Sequence, residues 1–401
     1  MEPRLVITGS GVVSALGCGK AVSLEALRDC RSGIGPDALG RVPLSGEALS
    51  ALTGAPADWP RTTLLSIVAL KEALSEAGLL PEGRPLPGAF ARTGSRSDAE
   101  EERGLPSGSL DIPLIGGTTV GGMDLTERQY PVYSPWHSCG ASTDLAARFL
   151  GFGSWASTLS TACSSAANAL IYAARLILSG RAACVVAGGS ESLSQFHIDG
   201  FRSLMILDSA PCRPFDATRA GLNLGEGAAY LVLESEEHAL RRGARPLAVL
   251  SGWGNACDAF HQTASSENGE GAFLAMQQAL RRAGLSPADI GYVNAHGTGT
   301  PSNDASESAA LRRLFGDTLP PVSSTKPFTG HTTSASGSIE AVFCLLALQQ
   351  GFIPPQLNFR TPDPACIEPA SGGTAALQHV LSNAFGFGGN DSSLILSAYD
   401  A

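Results

Sequence analysis

An internal repeat is the feature that most constrains what this chain can fold into. The first half opens with the strand-like RLVITGSG, and the second half opens with PLAVLSGWG around Pro246. Each runs into a helix that ends alike, as EALSEAGLLP (Glu72–Pro81) and QALRRAGLSP (Gln278–Pro287). Chance similarity between Ala/Leu-rich helices is an alternative for the helices alone, but the matching order of the pieces favours duplication.

A second repeated piece strengthens this interpretation. The segments at 160–180 and 324–351 both start with Ser-Thr at a strand end, continue through a polar turn, and enter an Ala-rich helix closed by glycine. We therefore predict two halves, residues 1–246 and 247–401, whose strand-to-helix turns face each other across a pseudo-twofold axis.

Strand-like and helix-like runs alternate along the whole chain, which predicts an α/β fold with buried, partly parallel strands. The segment Pro81–Pro113, rich in Pro, Gly and Ser, is predicted to be a surface excursion or a dimer-contacting loop. The predicted strands are Leu5–Ile7, Trp155–Ser160, Ala183–Ala187, Ala228–Glu234, Leu247–Gly252, Tyr292–Ala295 and Ser393–Ser397; the predicted helices are Leu64–Ala77, Ser164–Leu178, Ala272–Ala283, Ala305–Leu314 and Ser338–Gln349.

Composition narrows the class of protein. A net charge of −10 without a block of Lys or Arg argues against nucleic-acid binding, which needs a basic face. No apolar run reaches the roughly 18 residues of a membrane helix, and the N-terminus has no signal-peptide pattern. Nine scattered cysteines without a C-x-x-C pair indicate reduced thiols and no metal site. We expect a cytoplasmic globular protein without a bound cofactor.

Cys163 is the residue most suited to nucleophilic chemistry. It lies in TLSTACSSAANAL, between a strand and a long helix, so its sulfur is expected at a helix N-terminus that favours the thiolate. Small neighbours leave room for a substrate. For the other eight cysteines a structural role is the better default.

Two histidines lie in glycine-rich turns of the kind where open α/β folds collect functional groups. His296 ends a strand in YVNAHGTGT, and His331 lies in the turn TKPFTGHTTSASG before the last long helix. Lys326 precedes His331 by five residues, near enough for its cation to influence protonation in the site. The remaining five histidines are interpreted as structural or surface groups.

A third glycine-rich element, NAFGFGGNDSSLIL, follows near the C-terminus. Gly386, Gly388 and Gly389 surround Phe387 and permit the close backbone approach that an oxyanion-binding turn or a moving gate requires. It does not match a nucleotide-binding loop, because no G-x-G-x-x-G or Walker pattern opens a helix there.

These motifs together resemble the β-ketoacyl-acyl-carrier-protein synthases of types I and II over essentially the whole chain. The resemblance also includes CRPFDATRAGLNLGEGAAYLVLE (212–234) and the opening TGSGVVSALG. It implies a thiolase-like fold, with duplicated βαβαβαββ halves in five αβαβα layers. It further implies a dimer, either a homodimer or a heterodimer with a related ketosynthase-like subunit.

The resemblance assigns roles by matching motif. Cys163 would accept an acyl chain from the phosphopantetheine arm of acyl carrier protein, with its own N–H and that of Phe387 forming the oxyanion hole, flanked by Gly386 and Gly388. His296 and His331 would hold the malonyl thioester and its enolate, supported by Lys326. The resemblance also assigns Glu340 as a partner of Lys326, Thr298 and Thr300 as pantetheine-binding hydroxyls, and Val120 and Phe201 as acyl-pocket residues.

The chain departs from the family at two places. The gate usually continues Gly-Gly-Thr-Asn, whereas here Asn390 and Asp391 follow Gly389, so we do not expect standard chain-length behaviour. Met205 stands where an arginine is common in the basic patch that meets the carrier protein. Its remaining members are predicted to be Arg61, Arg202 and Arg213.

The leading hypothesis is thus an acyltransferase that condenses malonyl-carrier protein with a Cys-bound acyl chain, in fatty-acid or specialised polyketide or polyene synthesis. The alternative is a non-catalytic, chain-length-factor-like subunit of a ketosynthase heterodimer, but such chains usually lose the nucleophile that Cys163 retains. A thiolase predicts a second catalytic cysteine near Phe387, which is absent. A Cys–His protease has no support beyond residue types.

Overall fold

A computed structural model describes residues 3–80 and 110–400. Most of the predicted excursion Pro81–Pro113, residues 81–109, lies outside the described residues. The strands are β1 Leu5–Ser14, β2 Gly17–Cys18, β3 Leu114–Gly117, β4 Ala156–Leu159, β5 Cys184–Glu191, β6 Gly227–Ser235, β7 Ala248–Cys257, β8 Tyr292–Asn294, β9 Val322–Ser323, β10 Phe352–Ile353, β11 Gly373–Thr374, β12 His379–Gly386 and β13 Asn390–Ser397. The helices are α1 Lys20–Arg28, α2 Gly46–Thr53, α3 Arg61–Glu76, α4 Met123–Gln129, α5 Ala141–Leu150, α6 Ser165–Leu178, α7 Gln195–Ser203, α8 Glu236–Arg241, α9 Glu270–Ala283, α10 Pro301–Phe315, α11 Lys326–Thr329 and α12 Ser336–Gln350.

The sheet confirms the duplication. Its strand order is β4-β3-β5-β6-β1-β7-β13-β12-β8-β9, and β1 meets β7 at the centre through the antiparallel pairs Val6–Val249 and Ile7–Ala248. Outward from β1, two antiparallel steps lead to β6 and β5 and two parallel steps lead to β3 and β4. Outward from β7 the same pattern runs through β13, β12, β8 and β9.

The helices complete the predicted five layers. Helices α6 and α12 pack against each other between the two halves of the sheet, and α12 contacts strands of both halves. Its sequence is apolar nearly all round and its residues are almost all buried, as a central helix requires. Helix α3 covers the outer face of β1 and β6, and α9 covers the outer face of β7 and β13.

The repeated Gly-x-Gly of TGSG and SGWG has a packing role. A Cβ at Gly9 or Gly11 would collide with the carbonyl oxygens of α3, and one at Gly252 or Gly254 would collide with those of α9. The two outer helices therefore lie directly on their strands at equivalent points, which is why both halves keep the same glycine spacing.

All the predicted strands and helices lie on strands and helices of the structure. No helix of the described residues is long and apolar enough to span a membrane. The nine cysteines are unpaired, and no cluster of metal-ligating side chains occurs in residues 3–80 and 110–400. The boundary between halves at 246/247 stays a prediction.

Candidate active site

The turn between β4 and α6 presents Cys163 to a cleft beside the carboxyl end of β4. Ala162 has a positive φ of 51°, a conformation that costs about 1–3 kcal/mol for a residue other than glycine. This bend directs the chain sharply from the strand into the helix, and Cys163 lies on it, 4% exposed. The cleft encloses about 600 Å³, part of it open to solvent, and Cys163, His296 and His331 all line it.

The expected stabilisation of the thiolate is wrong. Burial raises the pKa of Cys163 to about 12, and the Lys326 cation and the main-chain N–H of Phe387 offset this only in part. Depth of burial thus outweighs the position beside the helix N-terminus. The resting group is a thiol, so it must pass its proton to a neighbour as it attacks.

His331 is placed to receive that proton. Its Nε2 lies 3.0 Å from Cys163 Sγ, and its Nδ1 lies 3.1 Å from the hydroxyl of Ser336. Burial, the Lys326 cation and His197 hold the pKa of His331 well below its usual range, so the ring is neutral. Because the Ser336 hydroxyl can both donate and accept, either ring nitrogen can carry the single proton.

His296 has its ring proton fixed by Lys326. Lys326 Nζ lies 3.3 Å from His296 Nδ1 and donates to Glu340 Oε1 at 2.6 Å. An ammonium group only donates, so we assign the lone pair to Nδ1 and the proton to Nε2 of His296. Burial, followed by Lys326 and His331, keeps the pKa of His296 well below its usual value.

Glu340 balances the buried cation. Burial raises the pKa of Glu340 to about 7, and the Lys326 cation opposes this rise. The two residues are almost fully buried, and Glu340 Oε2 has no hydrogen-bond partner among the described residues. Glu340 therefore gains or loses its proton near neutral pH, and the net charge of the Lys326–Glu340 pair changes with it.

Two residues that hold the His296 turn were missed by the sequence analysis. Glu307 on α10 accepts the main-chain N–H groups of His296 at 2.9 Å and Gly297 at 2.8 Å. Asn383 on β12 donates to the same carboxylate at 3.0 Å. The acids in the first turns of the helix that directly follows the His-Gly-Thr motif were the available sequence signal.

The glycine-rich loop after β12 closes one side of the cleft. Phe387 stacks on Phe201, with ring centroids 5.9 Å apart and an interplanar angle of 20°. A Cβ at Gly386 would lie 3.2 Å from the Cys163 nitrogen, so glycine is needed for this approach. The loop is held by Gly388 N–H donating to the Gln262 carbonyl at 2.8 Å.

The remaining predicted residues divide between the cleft and its surroundings. Thr298 and Thr300 line the cleft, and their hydroxyls lie 2.9 Å apart. Phe201 also lines it. Val120 is buried outside the cleft lining, where its main-chain N–H donates to Glu191 at 3.0 Å. The assignment of Val120 and Phe201 to an acyl pocket stays a prediction.

The two unusual gate residues have separate environments. The side-chain oxygen of Asn390 accepts from Ser164 Oγ and Asn168 Nδ2, both at 2.8 Å, and so ties the gate strand to the start of α6. Burial, with the nearby Asp258 and Glu307 carboxylates, raises the pKa of Asp391 to about 8.

The predicted members of the basic patch each have an acidic partner in this chain, and their role in meeting the carrier protein stays a prediction. Arg61 donates from Nη2 to the buried Glu226 carboxylate at 2.7 Å, and Arg213 pairs with Asp208 at 3.0 Å. Arg202 pairs with Asp199 on the same exposed helix. Arg202 is the most exposed of the three, whereas Arg61 and Arg213 are mostly buried beside their acidic partners.

Comparison with known proteins is consistent with this geometry. The chain matches the family descriptions "Beta-ketoacyl synthase, N-terminal domain" over residues 57–239 and "Beta-ketoacyl synthase, C-terminal domain" over residues 247–360. It is 36% identical to Nodulation protein E of Rhizobium meliloti (strain 1021), covering 98% of this chain and 99% of the relative. It is also 36% identical to 3-oxoacyl-[acyl-carrier-protein] synthase 2 of the same strain, covering 99% of each. Among solved structures it resembles the ishigamide ketosynthase/chain length factor, with a TM-score of 0.85, 31% identity and complete coverage of both chains.

Proposed function

This chain belongs to the β-ketoacyl synthase family, and on that premise we propose that it condenses a malonyl thioester with an acyl chain carried on Cys163. The activity is that of a 3-oxoacyl-[acyl-carrier-protein] synthase, an acyltransferase. Its substrates arrive on the phosphopantetheine arm of an acyl carrier protein, which Thr298 and Thr300 contact inside the cleft.

The first half-reaction loads the enzyme. The Cys163 sulfur attacks the acyl thioester carbonyl while its proton passes to His331 Nε2, 3.0 Å away. The carbon–sulfur bond to pantetheine then breaks, and the departing sulfur takes up that proton. The N–H groups of Cys163 and Phe387 hold the negative oxygen in between, as an oxyanion hole does.

The second half-reaction makes the new carbon–carbon bond. The malonyl C–C bond breaks, carbon dioxide leaves, and the electron pair becomes an enolate held by N–H donors of His296 and His331. The enolate carbon attacks the acyl carbonyl, and the Cys163 sulfur leaves with its bonding electrons and takes up one proton from solvent, which restores the thiol. Lys326 orients His296 for this task, and Glu340 keeps the lysine in place.

One observation carries the proposal above the others. Cys163, His331 and His296 share one cleft, with the thiol 3.0 Å from one imidazole and the second imidazole ring 5.3 Å from the first. The nucleophile and the two donors that the chemistry needs are thus assembled from both halves of the chain. A chain-length-factor-like subunit has no use for this arrangement.

Loading is tested by mass spectrometry of the intact protein with a panel of acyl-carrier proteins. We expect one acyl adduct on the wild type and none on Cys163→Ala, with both proteins showing the same circular dichroism. An adduct of equal yield on Cys163→Ala contradicts the assignment of the nucleophile.

Decarboxylation is tested separately from loading. Cys163→Gln is expected to release carbon dioxide from malonyl-carrier protein, because the histidine pair acts on the malonyl group. Adding His296→Ala to Cys163→Gln is expected to abolish that release. Normal carbon dioxide release by the double variant would remove His296 from the mechanism.

The remaining parts of the proposal concern assembly and place. We infer a dimer located in the cytoplasm, formed either with a second copy or with a related ketosynthase-like subunit. The named structural relative is itself a ketosynthase/chain length factor. Light scattering on the purified chain separates the two cases, since a homodimer forms without any other subunit.

A further inference from the structure

One buried imidazole beside the active site has no role in the chemistry above. His197 on α7 is 5% exposed, and its main-chain N–H donates to Ser194 Oγ at 3.1 Å. Its side-chain Nδ1, however, has no hydrogen-bond partner among residues 3–80 and 110–400. A buried polar atom left unpaired costs about 1–3 kcal/mol, so this position carries a cost that a leucine would avoid.

The ring lies one layer behind the cleft wall. His197 contacts Phe201 edge to face, with ring centroids 5.1 Å apart at an interplanar angle of 69°. Phe201 in turn stacks on the gate residue Phe387, and both of these phenyl rings line the cleft with Cys163. His197 itself does not line the cleft, so an acyl chain on Cys163 reaches it only by passing the Phe201 ring.

The neighbours of His197 leave Nδ1 available. Glu191 is the acid whose charge influences the pKa of His197. Its carboxylate already accepts hydrogen bonds from Thr118 Oγ1, the Thr119 and Val120 N–H groups and Ser334 Oγ. Burial lowers the pKa of His197, although Glu191 and the Ser192 main chain oppose this. A neutral imidazole has one N–H and one lone pair, so it suits an uncharged oxygen better than an anion.

Resting on the proposed function, we propose that His197 determines acyl specificity: its Nδ1 binds an oxygen of the chain held on Cys163. The preferred acyl group then carries a keto or hydroxyl oxygen. An unbroken hydrocarbon in the same place leaves Nδ1 unpaired. Sites built to hydrogen-bond a substrate reject analogues that lack the group by up to about 10⁴–10⁵-fold. A flexible chain can bend away, so we expect roughly 10–100-fold here.

The experiment compares acyl groups of one length that differ only in an oxygen. Carrier proteins bearing hexanoyl, 3-oxohexanoyl, 5-oxohexanoyl, 3-hydroxyhexanoyl and 5-hydroxyhexanoyl groups are offered singly, and initial rates of acyl adduct formation on Cys163 are measured by intact mass. We expect the wild type to load at least one oxygenated chain about 10–100-fold faster than hexanoyl. His197→Leu is expected to bring that ratio close to one.

Two further variants separate hydrogen bonding from shape. His197→Asn keeps a polar group near the position of Nδ1 and is expected to retain most of the preference. Ile198→Leu changes a neighbouring buried apolar side chain without changing polarity, and its ratio should match the wild type. If His197→Leu fails to fold, His197→Met provides the same test with an unbranched side chain.

The possible results test the role of His197 and the proposed function separately. Equal loading of all chains by the wild type, or an unchanged ratio in His197→Leu, overturns the role of His197 and leaves the condensing activity intact. Absence of any adduct on Cys163 from every donor overturns the proposed function, and this inference falls with it.

Discussion

The turns before α6 and α12 each have a residue with positive φ three positions before the helix start, but they have different neighbours. In Thr161–Ser165 a residue with positive φ, Ala162 at 51°, precedes Cys163 and helix α6. In Thr332–Ser336 the residue with positive φ is Thr333 at 43°, followed by Ser334 and helix α12. Cys163 and Ser334 therefore occupy equivalent positions.

Their partners come from the opposite half of the chain and differ in chemistry. Cys163 faces His331, a neutral imidazole beside an open cleft. Ser334 instead donates to the carboxylate of Glu191 in a fully buried setting. The turn supplies only a position for a side chain, and the facing half decides whether that position becomes a nucleophile or a structural hydrogen bond.

The largest expected effect comes from moving the thiol from one turn to the other. Adding Ser334→Cys to Cys163→Ala restores a thiol at the equivalent position, but we expect no acyl adduct, because the second turn has neither the cleft nor His331. Loss of a catalytic nucleophile is a rate loss of the order of 10⁶. Acylation of the relocated thiol in intact-mass measurements would break the comparison. Ser334→Ala alone is the control and should keep loading.

The helices that follow the two turns supply the next test. Counted from the helix starts at Ser165 and Ser336, Glu340 stands where α6 has the buried Ala169. Lys326→Met removes the partner of Glu340, whose pKa is already about 7, and so leaves a neutral buried acid with an unpaired polar atom. We expect the free energy of unfolding to fall by about 1–3 kcal/mol in urea titrations.

A second substitution separates stability from function. Adding Glu340→Leu to Lys326→Met should recover most of the lost free energy of unfolding while condensation stays low, because His296 Nδ1 still lacks its donor. Recovery of both stability and condensation in the double variant would show that the ion pair is structural only.

Local sequence was sufficient for some of these features and insufficient for others. Contiguous segments of sequence were enough to predict the Gly-x-Gly spacing and the order of the strands along the chain. They were also enough to predict the turns that hold Cys163, His296 and His331. The pKa of Cys163 was predicted in the wrong direction because burial depends on the whole fold. Glu307 and Asn383 could not be placed because they reach the His296 turn from separate elements.

The end of β12 gives a smaller but sharper test. Gly386 in the second half corresponds to Glu191 in the first, as the pairing of each with the start of the following strand shows. A Cβ at Gly386 would lie 2.9 Å from the Thr161 carbonyl and 3.2 Å from the Cys163 nitrogen, so Gly386→Ala displaces a proposed oxyanion donor. We expect acyl transfer to slow by about 10²–10³-fold, as loss of one such donor does.

A glycine of the same loop serves as the control for that variant. A Cβ at Gly388 would meet no atom within 4 Å, although its φ of 81° makes alanine strained. Gly388→Ala should therefore lower the melting temperature with a smaller change in the loading rate. Equal rate losses in the two variants would indicate that loop strain, and not the position of the Cys163 N–H, limits the reaction.

The smallest expected effect is on the pH dependence of stability. It concerns the strands that follow Gly386 and Glu191. Asp391 on β13 stands where β6 has the fully buried Ala228. Its pKa is raised to about 8 in the folded protein, whereas an unfolded aspartate titrates near 3.9. Between these values the folded state binds the extra proton, so this group makes the protein less stable as pH rises towards about 8.

Asp391→Asn and Asp391→Ala remove this contribution to the pH dependence. We therefore expect the difference in melting temperature between variant and wild type to grow from pH 5 to pH 8 and then level off, with about 1 °C for each kcal/mol in a chain of 401 residues. Comparing differences cancels the parallel titration of Glu340. A constant difference across this range would mean that Asp391 is ionised in the folded protein and that its neighbours have moved to accommodate the charge.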